Sequence, residues 1–199
     1  NIQSTMDWKT VDAGDHHTCG INSYDDLYCW GWNYRGQLGD TTNDSRLSPV
    51  QIGIDKWKSV SAGSEHTCGI TANDFLFCWG NNTAGQLGND TQTDSDFPVK
   101  IGESFWQKVS AGSDHTCAID TNSGLFCWGN NYHGQLGLGL GVDDYNVPYQ
   151  VMGQWMDVSA GNGFTCGITD GYALYCWGVN DFGQLGQNTS PGSINSPAP

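Results

Sequence analysis

Short runs of alternating or continuously apolar residues, each closed by glycine or by turn residues, recur along the chain, and no window carries a helical period. In the second recurring unit Trp57–Ala62 reads as a strand ending at Gly63, and His66–Thr71 as another. Ala72, Asn73 and Asp74 make a turn, residues 75–79 form a third strand, and 98–101 a short fourth. Between the third and fourth lie roughly eighteen residues rich in Gly, Asn, Thr and Asp, longer than most connections and therefore expected to be functional or mobile.

The same pattern repeats every 49 residues, marked by Trp8, Trp57, Trp106 and Trp155 and by Cys19, Cys68, Cys117 and Cys166. Cys29, Cys78, Cys127 and Cys176 keep that period, each followed by Trp-Gly and then by Gly-Gln-Leu-Gly starting at Gly36, Gly85, Gly134 and Gly183. A proline recurs at Pro49, Pro98, Pro148 and Pro197. Four units of 49 account for 196 of the 199 residues, giving one repeat array with units at approximately 1–49, 50–98, 99–148 and 149–199. A four-stranded sheet this small cannot bury both faces until another stacks on it, so the expected class is all-β, with the units as propeller blades and the large Trp before Gly in the inter-blade core. A solenoid fits less well, because its repeats are shorter or carry helices.

Val60-Ser61-Ala62-Gly63, His66-Thr67, Ile70, Trp79-Gly80-Asn81-Asn82 and Gly85-Gln86-Leu87-Gly88, in that order and in all four units, resemble the repeat of the regulator of chromosome condensation family. The resemblance implies a propeller, for which the family usually uses seven blades. Four units are a departure, open to three readings: part of a larger ring, a ring closed by four, or an open array completed by a neighbour. A second departure is Cys68 and its equivalents, where the family usually has an apolar residue.

Eight cysteines permit 105 pairings, but the constant spacing of ten favours local bridges: Cys19 with Cys29, Cys68 with Cys78, Cys117 with Cys127 and Cys166 with Cys176. Closing each loop of about eleven residues restricts the unfolded chain by ~2.7 kcal/mol in the entropy model. Such bridges place the protein outside the cell or at its surface, with the periplasm as a variant. Four N-glycosylation acceptors, at Asn43, Asn81, Asn89 and Asn188, follow Trp-Gly pairs and agree with that placement. The first residues carry neither a basic start nor an apolar run, and without an initiator Met the chain reads as a processed product or a piece of something longer.

Charge narrows the partners: 21 acidic against 7 basic side chains leave −14, which disfavours nucleic acid, anionic membranes and the chromatin-bound exchange role of the family's founding member. No stretch is long and apolar enough for membrane insertion as a helix. Neither a Cys-x-x-Cys, a His-Glu-x-x-His, a serine nucleophile elbow nor a phosphate-cradling loop occurs, so no metal, cofactor or catalytic centre is expected. His17, His66 and His115 share one position that holds Phe164 in the fourth unit, which favours a structural imidazole bonded to a neighbouring backbone group over a ring of ligands. Asp40 to Asp44, Asp94 with Asp96, and Asp143 with Asp144 lack calcium-loop spacing and read as a solvated acidic face.

Positions where the units disagree are the candidates for recognition. After each Trp-Gly, variable slots hold Trp32, Tyr34 and Arg35 in the first unit, Tyr132 and His133 in the third and Phe182 in the fourth. Aromatics on one rim suit a protein or glycan partner, because they give large contact area at small entropic cost. The leading expectation is a secreted or cell-surface, non-enzymatic binding or scaffold module. A subunit of an extracellular fibre, self-associating through its end blades, comes second, and an enzyme or enzyme inhibitor a weak third.

Overall fold

The computed structural model describes residues 6–139, 143–187 and 192–198. Each unit forms one four-stranded antiparallel meander. The first sheet is β1 (Trp8–Ala13), β2 (His17–Asn22), β3 (Leu27–Gly31) and β4 (Arg46–Gln51). The second is β5 (Trp57–Ala62), β6 (His66–Thr71), β7 (Leu76–Gly80) and β8 (Ser95–Lys100). The third is β9 (Trp106–Ala111), β10 (His115–Asp120), β11 (Leu125–Gly129) and β12 (Tyr145–Val151). The fourth is β13 (Trp155–Ala160), β14 (Phe164–Thr169), β15 (Leu174–Val179) and β16 (Ser193–Ala198). Among the described residues no helix is long and apolar enough to cross a membrane.

The first two strands of the second unit fall where the alternation puts them, and the third lies one residue later. The fourth is a correction: β8 begins at Ser95, three residues before Pro98. Gly80 pairs with Ser95 and Cys78 with Val99, so Asp96, Phe97 and Pro98 bulge opposite Trp79. Proline is tolerated there because an outer strand interrupted by a bulge makes no demand for its missing N–H. All four recurring prolines occupy this bulge, immediately before the residue opposite the second cysteine.

The core lies between sheets rather than within them. Cys19, Ile21, Leu27, Cys29, Leu38 and Ile52 of the first blade enclose Trp57 and Trp79 of the second. The next two interfaces repeat that cluster around Trp106 and Trp128, then around Trp155 and Trp177. The paired cysteines sit directly opposite each other on the two middle strands, bonded within each blade as the spacing suggests.

Candidate functional site

In an up-and-down meander the β1–β2 turns and the β3–β4 loops share one rim, while the β2–β3 turns and the inter-blade connections share the other. The upper rim is held by a polar relay that runs from each blade to the next. The Thr67 hydroxyl and the Trp79 indole N–H both donate to the backbone oxygen of Gln37, at 2.8 and 2.9 Å. Thr116 and Trp128 do the same to Gln86, and Thr165 and Trp177 to Gln135. Gly88, at φ +76°, allows the approach: a Cβ there would stand 2.6 Å from the Trp128 indole nitrogen. Because each Thr proton is committed to a carbonyl, the Nε2–H of the preceding blade's histidine donates to the Thr oxygen, at 2.8 Å for His17 on Thr67, His66 on Thr116 and His115 on Thr165. The histidines are therefore structural as expected, but their partner is the next blade's hydroxyl rather than a backbone group. Burial pushes their imidazoles down, to about 4 for His17 and His115 and about 3 for His66.

The long β3–β4 loop is folded around the recurring asparagine. Buried Asn82 accepts from the Leu87 N–H and donates to the backbone oxygens of Thr91 and Thr93. Asn33 does likewise with Leu38, Thr42 and Asp44. The acidic residues nearby divide: Asp44, Asp143 and Asp144 are exposed, as a solvated face requires, while Asp40 and Asp94 are drawn into the same construction. Asp40 is nearly buried and accepts from Arg46 at 2.6 Å, and Asp94 and Asp144 accept from the Asn82 and Asn131 N–H groups. Among the described residues no three His, Cys, Asp or Glu side chains converge as metal ligands.

On this scaffold the candidate residues separate. Half-buried Trp32 lies edge-on to His16 at 5.7 Å and stacks with Tyr34 at 6.2 Å. Tyr34, Tyr132 and Phe182 project into solvent, at 73%, 70% and 95% exposure. Arg35 is engaged instead: it reaches into the second blade, 3.1 Å from Asp94 and 3.8 Å from Glu65. His133 is half-buried, edge-on to Tyr132 at 5.0 Å. Of the glycosylation acceptors, Asn43 is exposed, Asn89 is half-buried with its oxygen accepting from Asn82, and Asn81 is buried with its amide donated to Glu65. Asn188 lies outside the described residues.

A second exposed set on the opposite rim escaped the sequence reading. Tyr24 sits in the β2–β3 turn and Tyr172 in the equivalent β14–β15 turn, with Ile54, Phe105 and Met152 in the inter-blade connections. Phe105 packs 5.3 Å from Phe75, over which the Lys100 ammonium sits at 4.2 Å. The signal was present as a large apolar residue one to three positions before each later unit's Trp.

A model described as the "Regulator of chromosome condensation (RCC1) repeat" matches residues 24–70, 73–119 and 122–168, and a second model of that description matches 8–37, 57–86, 106–135 and 157–184. No curated protein sequence matches the chain. Among solved structures, human WBSCR16 is 20% identical with a TM-score of 0.90, over 98% of this chain and 53% of that one. Prp20p from Saccharomyces cerevisiae, described with its binding properties to Gsp1p and histones, is 18% identical with a TM-score of 0.87, over 98% and 51%. The ectodomain of the Physcomitrella patens receptor kinase CR4 is 23% identical with a TM-score of 0.60, over 89% and 42%. The chain thus spans about half the length of the first two structures, at 53% and 51%.

Proposed function

On the premise that the chain belongs to the regulator of chromosome condensation repeat family, we propose that it is a non-enzymatic binding module that works in an oxidising space outside the cell. The observation that carries this reading is the upper rim. Four disulfides, three of them fully buried, and the asparagine-centred loops fix a rigid frame, from which Tyr34, Tyr132 and Phe182 stand out beside the Trp32 stack. Rigid aromatic side chains lose little entropy on binding and favour a protein or glycan surface. Similar structures support both halves: Prp20p is described with protein partners, and the CR4 structure is a receptor ectodomain. The charge of −14 argues against nucleic acid.

Peptide and glycan arrays probed with the oxidised chain test the proposal. The expected result is a reproducible set of bound probes, lost on replacing Tyr34, Tyr132 and Phe182 together by serine while the melting temperature stays unchanged. Binding indifferent to those three side chains, or no binding, overturns it.

A further inference from the structure

The clasp at the first interface is built a second time and left without its cation. Arg35 leaves the β3–β4 loop of the first blade and lies between two carboxylates of the second, 3.1 Å from Asp94 and 3.8 Å from Glu65. The same backbone frame recurs between the second and third blades. The Arg35 N–H donates to the side-chain oxygen of Gln37 and the Ala84 N–H to that of Gln86, at 3.0 and 2.9 Å. The Glu65 carbonyl accepts from the Asn81 N–H, and the Asp114 carbonyl from the Asn130 N–H. The Asp94 and Asp144 carboxylates accept from the Asn82 and Asn131 N–H groups at 2.8 and 2.9 Å. Asp114 and Asp144 therefore occupy the positions of Glu65 and Asp94, and Ala84 that of Arg35.

Paired carboxylates are not a general feature of these positions. The third interface has Gly163 and Ser193 there, with His133 in the arginine's slot. Nor do these 199 residues hold a spare lysine or arginine. All seven are ion-paired elsewhere: Arg35 in the first clasp, Arg46 with Asp40, and the five lysines each with a carboxylate other than these two. Ala84 ends at its Cβ, so its own side chain cannot supply the charge that Arg35 supplies one blade earlier. Asp144 is exposed. Partial burial of Asp114, together with the negative charges of Glu65, Asp144 and Asp15, raises its carboxyl above the usual range, as expected of carboxylates gathered without a counter-ion.

We propose that Asp114 and Asp144 form a recognition site for an arginine side chain of a protein partner. Its guanidinium takes the place that Arg35 takes at the first interface, reaching both carboxylates at once. The internal clasp argues for arginine over lysine: a planar fork of donors can serve two carboxylates carried by different loops, whereas an ammonium is a single point of charge on a flexible stem. The site lies between the second and third blades, each of which has another blade of this chain on its other side, so nothing about it depends on what adjoins the first or the fourth. The inference gives the partner of the upper rim its chemistry, and it rests on the reading of that rim for the partner being a protein.

Nuclear magnetic resonance titration of the oxidised chain with N-acetyl-arginine amide reads the site apart from the aromatic rim. The expected result is a saturable set of shifts centred on Ala84, Asp114 and Asp144, in the millimolar range because the carboxylates are open to water. The neutral citrulline analogue is expected to give none, and the lysine analogue to bind several-fold more weakly. Ala84→Arg, which supplies the guanidinium from within, is expected to abolish binding. Arg35→Ala, which vacates the first clasp, is expected to add a second set of shifts at Glu65 and Asp94. Shifts spread evenly over the acidic residues, an equal response to citrulline, or binding that survives Ala84→Arg overturns the proposal. Peptides bound on arrays are expected to contain arginine and to lose several-fold in affinity when it is replaced by citrulline. Indifference to that replacement overturns the arginine site and leaves the aromatic rim standing. Saturable titration at the site with arrays that bind no peptide overturns the protein partner and leaves the guanidinium site standing.

Discussion

Trp57, Trp106 and Trp155 are each 2% exposed, and Trp8 at the same position of the first blade is half-buried. Leu125 is fully buried and Leu174, one unit later, is 60% exposed. Inner interfaces and end faces thus use the same residue types in the same register and leave them in opposite conditions. The difference is set by whether a neighbouring sheet covers the face, since each blade's core is completed by the next one. Burial energy in such an array belongs to pairs of blades, and the comparison is open to direct measurement.

Acid gives the largest expected effect, because the titrating groups occupy inner interfaces alone. His17, His66 and His115 have folded values of about 4, 3 and 4, against 6.5 in the unfolded chain. Below 6.5 the unfolded chain binds protons that the folded chain refuses. Stability is therefore complete above pH 6.5, falls as pH drops, and is lost through the folded values. Each imidazole contributes a slope of up to about 1.4 kcal/mol per pH unit. Urea denaturation at pH 7 and at about pH 4.5 is expected to show a loss of several kcal/mol. His66→Phe, which copies the residue of the fourth blade, should reduce that pH dependence. A midpoint indifferent to pH would show that the imidazoles are not held neutral by the interfaces.

Leucine truncation separates the two regions next. Leu125→Ala opens a cavity inside an interface and is expected to cost about 2–5 kcal/mol. Leu174→Ala removes a side chain already in water, and in the dilute monomer it is expected to cost under about 1 kcal/mol. Equal costs in urea denaturation would mean that the end face is covered in solution even in the monomer.

These contrasts mark where the sequence was legible. The period of 49 located the strands, the cysteine pairs and the inter-blade tryptophans, because those residues recur wherever the backbone geometry recurs. Asn33, Asn82, Asn131 and Asn180 were visible as recurrent, but the loop they organise was expected to be functional or mobile: its hydrogen bonds reach residues five to eleven positions away, and no local pattern reports them. Arg35 was chosen as a binding candidate because its position varies between units. It varies because each interface is clasped differently, with Arg35 at the first and Ala84 in the same slot at the second. Disagreement between repeats therefore marks two things, an open surface as at Phe182 and a privately solved interface as at Arg35, and only exposure tells them apart.

The Ala84 slot carries the smallest prediction. At the first interface Arg35 lies between Glu65 and Asp94. At the second, Ala84 offers no cation to Asp114, which takes the place of Glu65 in the third blade. Burial, together with the charges of Glu65, Asp144 and Asp15, raises the Asp114 carboxyl above its usual range. Its sign is opposite to that of the histidines. A carboxyl whose folded value lies above the unfolded one favours the fold while protonated, and that contribution is lost as pH rises from the unfolded value through the folded one. At neutral pH the charged form is a liability, small because the side chain is partly open to solvent. Asp114→Asn is accordingly expected to raise the melting temperature slightly at pH 7 and to leave it unchanged at about pH 3, where the native carboxyl is already protonated. The matching change at the clasped interface, Glu65→Gln, should lower the melting temperature at pH 7, since it removes one of the two carboxylates that hold Arg35. Differential scanning calorimetry of both variants reads the comparison, and two shifts of the same sign would refute a difference between the clasped and unclasped interfaces.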